Sequence, residues 1–216
     1  MGTAGTTKGI RQLLVIAGAF VALAAASASP AQAGDGSLLG CGHEPVHPFL
    51  QWLDPLPYTL LPGGDFESGA AGWKLFGGAR VVDGNEPFAI TSKSDSHSLL
   101  LPQGSSATSP TMCMGLLLPV VRYVSTGGNR LSFMRVEAVY KDPRGRERSI
   151  DLLPPGQPSK SWAPSLPALQ LMGLLNVLTL DGLTSDIALR FTPTGTIFGS
   201  GTWRVDDIYV DPWKVV

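Results

Sequence analysis

Apolar and polar residues alternate along most of this chain in short bursts, each cut off by glycine, proline, asparagine or aspartate. From position 58 the bursts fall at 58–61, 73–76, 79–82, 88–91 and 98–101. The turn residues between them are Pro62-Gly63-Gly64, Gly77-Gly78 and Asp83-Gly84-Asn85. A period of two over four to eight residues, closed by turn chemistry, predicts a half-buried strand. Longer strands are expected over 117–125, 131–140, 146–153, 186–192 and 202–210. Asp142-Pro143-Arg144-Gly145 has proline at the second turn position and glycine at the fourth, so 131–140 and 146–153 should form a hairpin.

Two segments break this pattern. Residues 34–57 carry prolines at 45, 48, 55 and 57, which no helix would survive, so they read as an irregular arm. Phe49, Trp52 and Leu53 give that arm something to pack with. Residues 168–178 are apolar beyond the length of a common strand, which favours a short helix there. The whole is expected to be all-β, a jelly-roll sandwich of two antiparallel sheets over 58–216, with room for that one helix.

The first 33 residues read differently. Lys8 and Arg11 precede an uncharged apolar run over 13–26, and Ala31-Gln32-Ala33 follows. That is the order of a secretory signal peptide, cut after Ala33. The run is about 14 residues, short of the roughly 20 that span a bilayer. The 16 basic side chains less Lys8 and Arg11 leave 14 against 17 acidic ones. Such a balance carries no electrostatic footprint for nucleic acid or an anionic membrane. Two cysteines, Cys41 and Cys113, in an exported chain suggest one disulfide; two free buried thiols are the other reading.

Three motifs occur in order: Pro62-Gly63-Gly64-Asp65-Phe66-Glu67 with Gly72-Trp73, then Ser96-His97-Ser98-Leu99, then Val205-Asp206-Asp207-Ile208. Together they resemble the jelly-roll carbohydrate-binding modules of the galactose-binding-like superfamily, over about 60–212. The layout is also similar to secreted actinobacterial proteins. The resemblance implies a structural calcium ion, with Glu67 and Asp207 as ligands and backbone oxygens near Asp65 and Ser96 as extras. Calcium takes six to eight hard oxygens, so the chemistry suits. Without calcium, Glu67 would cap a turn and Asp207 would pair with Arg80 or Arg204.

Sugar binding needs aromatic faces beside polar groups, and Trp73, Tyr123, Tyr140 and Trp162 are the candidates, each with core packing as its alternative. Catalytic motifs are missing: no G-x-S-x-G, no H-E-x-x-H and no P-loop. His43, His47 and His97 read as loop residues. Asp206 and Asp207, adjacent on a strand, should face opposite sides. The apolar stretches 112–121 and 168–178 read as core, or as a patch that docks a partner. The expectation is a secreted non-enzymatic binding module for polysaccharide or cell-wall glycan, at the cell envelope or outside the cell. The alternative is a structural or protein-interaction domain without a small ligand.

Overall fold

The computed structural model describes residues 1–2, 45–115, 120–142, 144–169, 184–195 and 199–211. The chain divides into two compact units, Met1–Ala33 and Gly34–Val216. Only residues 1 and 2 of the first are described, so the expected signal peptide, like Cys41 and His43, lies outside the described residues. Among the described residues no helix is long and apolar enough to cross a membrane.

The second unit is all-β. Its strands are β1 (Thr59–Leu60), β2 (Lys74–Phe76), β3 (Arg80–Asp83), β4 (His97–Leu101), β5 (Ser106–Thr108), β6 (Met112–Gly115), β7 (Val120–Gly127), β8 (Ser132–Lys141), β9 (Glu147–Gly156), β10 (Ser159–Pro164), β11 (Ala168–Leu169), β12 (Thr184–Gly195) and β13 (Trp203–Asp211). One antiparallel sheet runs β3-β4-β13-β7, with β1 on β13 and β10 and β11 on β7. The other runs β2-β5-β12-β8-β9, with β6 on β12. They join at one bridge, Leu153 opposite Leu169. β2 and β3 are the two ends of the path, yet only residues 77–79 separate them. The path therefore curls back into the jelly-roll sandwich. Gly77 makes that corner at φ 65°, where a Cβ would meet the Gly104 carbonyl oxygen at 2.6 Å.

The hairpin of β8 and β9 forms as its alternation predicts, with Tyr140 opposite Arg148 and Ala138 opposite Ile150. Its inward residues Met134, Val136, Ala138 and Leu152 are buried between the sheets with Leu189 and Phe191 of β12. Several expectations need correction. Residues 88–91 are a loop, because the Glu86 carboxylate takes the Phe88 and Ile90 amides out of any ladder. Of the helix expected over 168–178, Ala168 and Leu169 are strand β11, paired with β7; the rest lies outside the described residues. In the 112–121 stretch, Met112, Met114, Val120 and Val121 are buried, so its described part is core.

β7 is buried on both faces. Val121 and Tyr123 point into the sandwich, while Val120 and Val124 point outward into a second cluster with Phe49, Tyr58 and Tyr209. The arm supplies the cover. Phe49 meets Tyr58 and Tyr209 edge-on at 5.3 and 5.8 Å, and Trp52 meets Phe88 at 5.0 Å. Leu53 does not pack; it is 92% exposed, at φ 60°. One face of the sandwich is thus closed by the chain's own arm; on the outer face of the other sheet Glu137, Val139 and Ala188 are buried, while Lys74, Arg135, Lys141, Glu147, Asp151 and Asp186 are exposed.

Candidate functional site

The outer face of the β2-β5-β12-β8-β9 sheet is built from the alternate residues that the core does not use. On β8 these are Arg135, Glu137, Val139 and Lys141; on β9, Glu147, Ser149 and Asp151; on β12, Asp186, Ala188 and Arg190. Charged partners lie side by side across the strands. Arg135 Nε donates to Asp151 at 2.6 Å and its Nη2 lies 3.3 Å from Glu137. Ser149 donates to Glu137 at 2.7 Å, and Arg190 pairs with Glu147 at 2.5 Å. Held by their neighbours on adjacent strands, these groups form a pre-set polar surface.

A cavity of about 690 Å³ opens at the end of this face. Val139 and Ala188 line it alongside Lys74, Lys141, Glu147, Asp186 and the half-buried ring of Tyr140. Donors and acceptors of both charges thus surround two small, largely buried apolar side chains.

The four aromatics expected to bind sugar are not gathered here. Tyr140 alone lines the cavity. Trp73 is 8% exposed, packs on Phe66 at 5.1 Å and gives its Nε1–H to the Pro62 carbonyl. Tyr123 is 1% exposed and meets Phe191 edge-on at 5.3 Å, so neither ring offers a face to a ligand. Trp162 lies across the other sheet, where the Arg204 guanidinium covers its ring at 5.5 Å. Sequence reading missed Lys74, Lys141, Glu147 and Asp186. The signal was there: charged residues at 135, 137, 141, 147 and 151 share one parity around the 142–145 turn.

The opening and closing strand segments do lie side by side. Leu61 N–H donates to the Ile208 carbonyl at 2.9 Å, and Ile208 N–H to that of Gly64 at 3.1 Å. Their carboxylates, however, have different company. Glu67 accepts from the backbone N–H groups of Ser96 and His97 at 2.7 and 2.6 Å, from Ser96 Oγ, and meets His97 Nδ1 at 3.1 Å. Partial burial works against its charge, yet these bonds hold its pKa below the usual carboxylate range, and the bond to Glu67 raises that of His97. Glu67 therefore caps the start of β4. Its oxygens are spent on the chain, which fits a metal ligand poorly.

Asp207 sits in a bulge, where the register of β13 on β7 shifts between Asp206 and Tyr209 and Asp207 takes φ 46°. The bulge removes the alternation expected of Asp206 and Asp207, and both are 1% exposed. The Thr91 hydroxyl donates to Asp207 and lies 2.8 Å from Tyr209 Oη, so neither Arg80 nor Arg204 serves it. Among the described residues Asp95, Asp206 and Asp207 each keep one buried Oδ2 without a partner in good hydrogen-bond geometry, as does Asn85 Oδ1, although Glu86 lies close to both Asp206 and Asp207. Burial pushes Asp206 up to about 9, helped by the charge of Asp207. Burial likewise raises Asp207, and Glu86 and Asp95 add to this. Among the described residues no three of His, Cys, Asp and Glu are gathered closely enough to hold a metal by themselves. The unpartnered oxygens of Asp206 and Asp207 nevertheless suit a hard cation.

No protein-family model matches the sequence, and no curated protein matches it. Solved structures similar to it include the CBM22-1 xylan-binding domain of Paenibacillus barcinonensis Xyn10C, 13% identical, covering 71% of this chain and 94% of that one, TM-score 0.47. The CBM22-1–GH10 modules of Clostridium thermocellum Xyn10B, complexed with xylohexaose, are 12% identical over 71% of this chain, TM-score 0.48, and the match spans 28% of that chain. TmCBM61, complexed with β-1,4-galactotriose, is 15% identical, covering 71% and 98%, TM-score 0.41.

Proposed function

We propose that this chain is an exported, non-catalytic glycan-binding module whose glycan lies along the outer face of the β2-β5-β12-β8-β9 sheet. The observation that carries this is the open cavity at the end of that face, lined by Tyr140, Lys141, Glu147 and Asp186 on a rigid ladder. Sites on strands are held more firmly than sites on loops. Glycoside hydrolysis needs two carboxylates flanking the bond, one as acid. Glu147 is committed to Arg190, which supports binding over hydrolysis. Export rests on the basic start, apolar run and Ala31-Gln32-Ala33, and it puts the module where polysaccharides are.

Calcium belongs to the same reading, as a structural ion. Asp206 and Asp207 would hold it, with Asp95 drawn in, and Glu67 would stay on Ser96 and His97. Its role there is to neutralise carboxylates that burial otherwise keeps protonated.

Affinity gel electrophoresis against soluble plant, fungal and bacterial polysaccharides tests the proposal. Retardation by at least one polymer, lost in Asp186→Ala and Tyr140→Ala, supports it. Unretarded migration across the panel refutes it.

A further inference from the structure

Building on the glycan-binding reading, we infer that the cavity selects acidic polysaccharides of the polyuronate type, with a carboxylate on each sugar unit. Most of the charge on this face is already paired. Arg135 is taken by Glu137 and Asp151, and Arg190 by Glu147. Three charged side chains there, Lys74, Lys141 and Asp186, make no hydrogen bond or ion pair among the described residues. All three line the cavity. The uncommitted charge of the face is therefore concentrated at one place, with two ammonium groups against one carboxylate.

The spacing of the lysines says what kind of anion fits. By register Lys74 stands opposite Thr108, Thr108 opposite Arg190, and Arg190 opposite Glu137. Lys74 is thus three strands from β8, and Lys141 is four residues further along β8 than Glu137. Strand spacing and rise put the two backbones about 19 Å apart. Only with both long stems stretched fully toward each other could a single carboxylate bridge the two ammonium groups; with the stems upright it cannot, and a chain carrying an acid group on successive units engages both. Lysine suits this task, being a point charge with three freely turning donors. Asp186, between them, would accept from a sugar hydroxyl. Trp73 and Tyr123 are in the core and Trp162 lies across the other sheet, so beside the Tyr140 ring and the exposed Phe76 of β2, charge supplies a share of the affinity.

Polygalacturonate and its fully methyl-esterified form share a backbone and differ in charge, which makes them the probes. The free acid should bind about tenfold tighter than the ester, and that preference should shrink between about 20 mM and about 500 mM NaCl. The double variant Lys74→Gln/Lys141→Gln should lose the preference; both side chains are exposed, so its melting temperature should match the parent's. Equal binding of acid and ester, or a preference that survives in the double variant, overturns the inference. If a neutral xylan or galactan binds and polygalacturonate does not, only this inference falls. If none of them binds, the glycan-binding reading falls with it.

Discussion

Arg122 of β7 and Asp54 of the arm, 68 residues apart in sequence, meet in a buried ion pair at 2.5 Å. Tyr58 Oη donates to the same carboxylate at 2.8 Å. The guanidinium also lies 4.4 Å over the Phe49 ring and gives two further bonds to the Ser165 carbonyl. The pair fastens the arm over the outer face of the β3-β4-β13-β7 sheet.

Breaking that pair should be costly, because the surviving partner is left charged and buried. Asp54→Ala or Arg122→Ala is expected to lower stability by about 3–5 kcal/mol in urea denaturation. A loss below about 1 kcal/mol, as an exposed pair gives, would show the arm is held by apolar contacts alone.

The same pair predicts an acid-sensitive arm. Burial raises the Asp54 pKa, but the bonds from Arg122, Leu56 and Tyr58 outweigh it and leave the pKa lowered from 3.8. A carboxylate with its folded pKa below its unfolded one contributes stability above the unfolded value and loses it as pH falls through the folded value. Stability should therefore drop as pH falls below about 3.8, and Asp54→Asn should flatten part of that slope. A slope identical in the variant would remove Asp54 from the account.

Much of the architecture was legible because the physics was local. The 142–145 turn and the alternation either side of it specify the β8–β9 hairpin without help from the rest of the fold. The arm's prolines and its Phe49 and Trp52 likewise announced a segment that packs without regular structure. Long-range effects were hidden. Trp73 and Tyr123 have the composition of a sugar platform, and only tertiary packing turns them inward. The bulge at Asp207 breaks a strand period that the sequence displays intact. The cavity's charged residues come from β2, β8, β9 and β12, which are scattered in sequence and meet only through strand order.

Calcium should stabilise the folded chain. Millimolar CaCl₂ is expected to raise the melting temperature by several degrees over chelator, about what 1–2 kcal/mol of linked binding gives. Asp207→Asn should abolish the rise while keeping the positive φ, which asparagine tolerates. Identical melting in calcium and chelator would leave the buried carboxylates as proton holders only.

Cys113 lies on β6, which pairs with β12 through Asp186. We propose that it bonds to Cys41. A digest run without reductant should contain the peptide pair, and Cys113→Ser should cost roughly 4 kcal/mol in the chain-entropy account. Recovery of both thiols alkylated in the unreduced protein would dismiss the bridge.

Hydrogen exchange by mass spectrometry, with and without a retained polysaccharide, tests the placement of the glycan most directly. Protection should rise in peptides covering 72–76, 134–151 and 184–192, and the arm at 45–57 should exchange as before. Protection confined to the arm and β13, with the β2-β5-β12-β8-β9 sheet unchanged, would contradict the account.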